Sequence, residues 1–198
     1  MLLLFRLLVA AVLALPASGP PTTIPPEVTL PHEGDWRPLG WPGRTPLQDV
    51  CIDPGQGGLH LPETEDHRAV GSGPRLEALG LYRGPGRADM AVDAWREQAR
   101  RCGGPGRVDH VGQPMQWVVR RIEVDGADEA WQAHLLMTVE GPDLGVLTSF
   151  LTIVRVGPAV YVEDDREHSA PSTVGEKSAA GLASAASYVP TLDVFSSG

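Results

Sequence analysis

Two of the 198 residues are cysteines, Cys51 and Cys102, and they carry the most reactive side chains in the chain. A metal site built on them alone would lack two of the four ligands zinc usually takes. A second donor set lies in HLPETEDH, where His60, Glu63, Glu65, Asp66 and His67 supply imidazoles and carboxylates. Those are metal-binding chemistries, but the spacing matches no established ligand motif, and a solvated acidic loop is the competing reading. A hydrolytic set would need Ser149, His134 and Asp109 with His110 to meet in space. The run EDDREH places Glu163, Asp164 and Asp165 side by side; an acid/base pair is one reading and a solvated strand end the more ordinary one. There is no G-x-S-x-G, H-E-x-x-H, P-loop or dinucleotide fingerprint, and the glycine clusters at 55–58 and 103–106 do not stand between a strand and a helix. No cofactor is implied. The chemistry-bearing residues disclose no reaction, and a secreted hydrolase is the form an enzyme would take.

How the cysteines should be read depends on the compartment. Leu2 to Leu15 is an apolar run broken by Arg6 and followed by small residues, with cleavage expected after Ala17 or Gly19. Residues 1–19 are therefore read as a secretory signal. The alternative is a retained N-terminal membrane anchor, against which the run falls short of the roughly 20 residues a span needs. No later stretch is apolar enough to cross a bilayer, so no span is expected in the mature chain. An oxidising compartment favours a Cys51–Cys102 disulfide, the single intramolecular pairing two cysteines allow, over two unpaired buried thiols. Closing that loop would contribute about 4 kcal/mol. The formal net charge of −9 argues against nucleic acid or anionic lipid as partners.

The elements that must position these groups follow from periodicity. Residues 20–47 are proline-rich, which favours an extended arm or linker; Trp36 and Trp41 in it would either tack the arm to the core or form an exposed ligand-binding pair. A single domain is expected over 48–190, with a tail at 191–198. Residues 48–74 look irregular, with DPGQGG and GSGP as turns, and Arg75 to Arg83 reads as a strand. Ala88, Ala91, Val92, Trp95, Ala99 and Cys102 recur at spacings of three and four, predicting an amphipathic helix from Arg87 to Cys102. Four strands follow at Gln116–Val124, Trp131–Val139, Leu147–Val156 and Ala159–Glu163, joined by turn signals including Gly157-Pro158. Thr173-x-x-Glu176 is a capping-box pattern that opens an alanine-rich helix ended by Pro190. The fold class is thus α+β: an antiparallel sheet of four to five strands, packed by a central helix and a C-terminal helix, with one disulfide. Trp95 and Trp117 are expected to bridge helix and sheet. Arg120 either projects at the sheet edge or is a buried cation serving an anionic ligand.

This order of elements, with the helix AVDAWREQARRC and the later LTIVRVGPAVYVEDD, resembles the actinobacterial secreted sensor domains found outside the membrane on PknH-like serine/threonine kinases. The resemblance spans about Val50 to Tyr188. It implies an antiparallel sheet flanked by helices, with a cleft for an unidentified envelope ligand, and it supplies no catalytic residue. The chain departs from the kinase members in lacking a kinase domain and an anchoring helix, and in offering one disulfide where those carry two. Signalling to a kinase is therefore not implied. A noncatalytic extracytoplasmic sensor or ligand-binding domain is the leading expectation, with an unknown envelope ligand or protein as its partner and Trp117, Arg120, His134 and Arg155 as candidate cleft residues. A secreted hydrolase and an envelope protein-interaction module are the alternatives, the latter marked by an exposed apolar patch near Trp36, Trp41 and Trp117.

Overall fold

In a computed structural model, described for residues 21–39, 45–47, 61–104, 114–138 and 145–196, seven strands form one antiparallel sheet. They are β1 (Arg37–Pro38), β2 (Asp66–Ser72), β3 (Arg75–Leu81), β4 (Met115–Ile122), β5 (Glu129–Thr138), β6 (Gly145–Val156) and β7 (Ala159–Asp165). Their spatial order is β1-β2-β3-β7-β6-β5-β4. The expected meander is present as β4 to β7. Its last strand also pairs with β3, which joins the meander to the N-terminal hairpin.

Successive side chains on a strand point to opposite faces. Here both faces are covered, which is why β7 opens with an unbroken apolar run, Ala159 to Val162. Helix α1 (Pro85–Cys102) lies on one face. Its Ala88, Ala91, Val92, Trp95 and Ala99 are buried against Leu151, Ile153, Val160 and Val162. Helix α2 (Val174–Leu192) and the N-terminal arm share the other face, where Val154, Tyr161, Tyr188, Val189 and Leu192 join Ile24, Val28 and Leu30. The arm is tied down by polar contacts as well. The Arg68 guanidinium donates to the carbonyls of Val28 (2.8 Å), Ile24 and Pro25 (3.3 Å each), and Asp66 accepts from the Ile24 N–H at 2.8 Å.

Several expectations need correction. The sheet has seven strands rather than four to five, because Asp66–Ser72, expected to be irregular, is a strand hairpinned to the expected strand from Arg75, and Arg37–Pro38 of the arm adds a short edge strand. Its two-residue loop, Gly73-Pro74, starts with a glycine at φ +58°, the left-handed conformation that tight hairpin turns use. The Gly157-Pro158 loop repeats this with φ +54°. The carboxylates of EDDREH are not a solvated strand end: β7 runs on through Asp165, so Asp164 is buried on the α1 face while Glu163 faces α2. Thr173 does not cap α2. Its hydroxyl donates back to the Ala170 carbonyl at 2.7 Å within a 3-10 turn, Pro171–Thr173. Pro190 lies inside the last turn of α2, and the expected tail begins as helix and continues into a second 3-10 turn whose Phe195 is fully buried. Trp95 is a core residue, whereas Trp117 is half-buried at the margin. The signal at 1–19, Trp41, His60, Asp109, His110 and Cys51 lie outside the described residues, so the disulfide does too; α1 ends at Cys102. Among the described residues no helix is long and apolar enough to cross a membrane.

Candidate functional site

Strand alternation divides the residues selected from the sequence between two faces. Trp117 and Arg155 lie on the α1 face, Arg120 and His134 on the α2 face, so the four do not form one cleft. Arg155 is a brace. It pairs with Asp128 at 3.1 Å, Glu129 at 3.5 Å and Asp89 of α1 at 3.8 Å, and donates to the Gly157 carbonyl at 3.4 Å. Trp117 lines an open groove of about 520 Å³ with Trp131, Val119, Arg96 and Arg100. The charges along that groove are engaged with one another. The Arg96 guanidinium lies 3.9 Å above the Trp131 ring, and the Trp131 indole donates to Glu129 at 2.6 Å. Hydrogen bonds from Arg100 and Arg101 hold the half-buried Glu97 carboxyl down at about 2.

Of the alternative hydrolytic set, Ser149 and His134 are not brought together, and Asp109 and His110 lie outside the described residues. Ser149 is on the α1 face, where its hydroxyl donates to Asp164 at 2.8 Å, and His134 is on the opposite face against Phe150. Burial, with Arg120 adding to it, lowers the His134 pKa from 6.5, which leaves the ring neutral at pH 7. Asp164 is pushed the other way by burial, with Arg166 and Ser149 opposing the shift. The metal reading fares no better among the described residues, where no three His, Cys, Asp or Glu side chains converge. Asp66 instead anchors the arm, and Glu65 pairs with Arg83 at 3.5 Å.

What the sequence reading missed is a polar row beneath α2. Arg120, Gln132, Thr152, Glu163 and Glu77 are successive register partners across β4, β5, β6, β7 and β3, all on one face. Gln132, Thr152 and Glu77 are buried, Glu163 is half-buried and Arg120 is exposed on the edge strand; burying such polar groups is costly unless each finds a partner. Helix α2 supplies several through Ser178. The Ser178 hydroxyl donates to Gln132 Oε1 at 2.8 Å, Gln132 Nε2 donates to the Ser178 carbonyl at 2.8 Å, and Arg120 reaches both Gln132 and Ser178. At Gly181 the helix lies directly on the row: a Cβ there would stand 2.3 Å from Thr152 Oγ1. At the far end the arm closes the row. His32 Nδ1 is 2.5 Å from Glu77 Oε1, its backbone N–H donates to Glu77 Oε2 at 3.1 Å, and its ring stacks on Trp36 at 4.3 Å.

Between these ends the row is incompletely satisfied. Glu163 faces the buried Glu77 directly, and its Oε2 is buried with no hydrogen-bond partner. Burial raises its pKa, and Glu77 adds to the shift, while Ser184, His32 and Arg75 work in the other direction. Thr152 is only 1% exposed and makes no hydrogen bond among the described residues. Both side chains open onto a cavity of about 350 Å³ under the first half of α2, walled by Phe150, Arg75, Lys177 and Gly181. Lys177 is paired with Asp165 at 2.6 Å. The cavity hydroxyls of Ser169 and Thr173 bond to each other at 3.0 Å rather than to a base. The signal for this site was present in the phase of each strand, since Thr152 and Glu163 occupy the same inward positions as Val154 and Tyr161. The chain matches no protein-family model, and no curated protein matches it.

Proposed function

We propose that this chain is a noncatalytic extracytoplasmic ligand-binding domain of the bacterial cell envelope, with the cavity beneath α2 as its binding seat. The observation that carries the reading is the gap in the polar row, where Thr152 and Glu163 hold unspent hydrogen-bonding capacity at the wall of a 350 Å³ cavity. Natural interiors satisfy buried polar groups, and small-molecule sites are concavities with a few convergent polar groups. The separation of Ser149 from His134 and the mutual bonding of Ser169 and Thr173 favour binding over acyl transfer. The apolar leader and the resemblance to extracellular sensor domains support the compartment, and a Cys51–Cys102 disulfide is part of the same proposal.

The compartment is tested by intact mass of the full chain expressed in an actinobacterial host, with alkylation before and after reduction. A chain starting near Ser18 or Pro20 that alkylates only after reduction supports it; an uncleaved chain with two free thiols overturns it. Binding is tested by a small-molecule screen read by amide chemical shifts. Hits that perturb Thr152, Glu163 and Gly181 support the seat, and turnover of ester, glycoside or peptide substrates would refute the noncatalytic reading.

A further inference from the structure

If the cavity under α2 is the binding seat, as proposed above, its lining also restricts what can occupy it. Lys177 and Asp165 neutralise each other, which leaves Arg75 as the lining cation without a hydrogen bond or ion pair among the described residues. Arg75 is opposite Asp165 in register and Glu163 is opposite Glu77, so Arg75 and Glu163 are diagonal neighbours on the same face. They act on each other through space without forming an ion pair. Diagonal positions on adjacent strands are about 7–8 Å apart. One end of the seat therefore offers a guanidinium, which suits a planar carboxylate. The other offers the partly exposed Glu163 carboxyl beside the Thr152 hydroxyl, which suit an ammonium group. The exposed Glu167 and Glu176 complete the lining with negative charge, which disfavours a purely anionic ligand.

From this arrangement we infer that the seat takes a short zwitterionic peptide of about dipeptide size, its carboxylate on Arg75 and its ammonium on Glu163 and Thr152. The roughly 7–8 Å between the two strand positions is close to the span of two residues at up to about 3.6 Å each. The cavity volume lies at the lower end of the range for small-molecule sites, which agrees with a ligand of this size.

The test uses the full folded chain and calorimetric titration with L-alanyl-L-alanine, its N-acetylated form, its C-terminal amide and glucose. The expected result is saturable dipeptide binding, at least tenfold weaker for either blocked form, with no glucose binding. Arg75→Gln should abolish discrimination against the amide, and Glu163→Gln discrimination against the N-acetyl form, each in a variant whose circular dichroism and melting remain cooperative. Arg75 is exposed, so its variant keeps the test decisive if Glu163→Gln fails to fold. Equal binding of free and blocked forms, or a preference for the amide alone, overturns the zwitterion and leaves the seat in place. Cavity hits from the small-molecule screen without any dipeptide binding do the same. An absence of cavity hits of any class overturns the seat and this inference together.

Discussion

Replacing Gly181 by alanine sets two effects of known size against each other. In a helix interior, glycine costs about 0.8–1.0 kcal/mol relative to alanine, so the substitution would stabilise α2 by about that amount if the space were free. It is not free. The new Cβ would stand 2.3 Å from Thr152 Oγ1 and 3.4 Å from Gln132 Nε2, and Thr152 is itself held in the middle of the sheet. Overpacking of this kind costs about 1–3 kcal/mol. Gly181→Ala should therefore lose up to about 2 kcal/mol net. Thr152→Ala removes the opposing hydroxyl, so in that background the alanine should recover its helical advantage. The two substitutions should couple by about 1–3 kcal/mol, read from urea unfolding midpoints at unchanged m. Thr152→Ser, which keeps the hydroxyl, should give no relief. If Gly181→Ala stabilises by about 1 kcal/mol in both backgrounds with no coupling, α2 does not rest on Thr152 and the cavity beneath it is misplaced.

Trp95→Ala should cost about 3–5 kcal/mol in the same assay, since the side chain is fully buried between α1 and the sheet; a loss below 1 kcal/mol would refute that packing. Glu163 has a folded pKa above its usual 4.5, so the fold favours the protonated carboxyl. Its contribution is fully present below the unfolded pKa and is lost as pH rises through the folded one. Glu163→Gln should accordingly gain melting temperature over the parent from the ordinary carboxylate range upward, and a constant offset at all pH values would contradict the argument. His134 has the opposite sense: its folded pKa lies below 6.5, so its contribution is present above 6.5 and lost as pH falls through the folded value. Arg120→Gln should move the His134 titration upward in an imidazole NMR experiment, although burial, the larger cause, should keep it below 6.5.

The strands with clean alternation and the helix with a regular apolar stripe were legible because local periodicity and burial agree there. Trp131 to Thr138 and Ala88 to Ala99 each read one way only. The hairpin at 66–81 was hidden although it uses the same Gly-Pro loop recognised at 157–158. Its first strand, DHRAVGS, is mostly polar, because Arg68 serves the arm's carbonyls and Asp66 an arm N–H. The phase of β7 was hidden by its charges. A strand paired on both sides can bury Glu163 and Asp164 once Ser149 and Arg166 on one face and the surroundings of α2 on the other accept them, and of those partners only Arg166 is a neighbour in sequence. Residue type alone suggests a cleft of Trp117, Arg120, His134 and Arg155, whereas strand alternation places them on different faces. The polar row became visible only with the register, since its five members come from strands separated by up to 86 positions, from Glu77 to Glu163.

The place of β7 between β3 and β6 bears on the order in which the chain can fold. The β6–β7 hairpin closes through two residues, but the β3–β7 pairing brings together segments about 80 residues apart, from Leu81 to Ala159. Loop closure over that length costs about 4 kcal/mol beyond a constant term. The β2–β3 hairpin and α1 therefore emerge from synthesis before the strand that joins them to the meander, and the free edge of β3 and the part of α1 that packs on β7 stay uncovered until residue 165 is available. If β7 nucleates the sheet, substitutions in its pairing with β3 should slow refolding, whereas changes in the early hairpin away from that seam should chiefly accelerate unfolding.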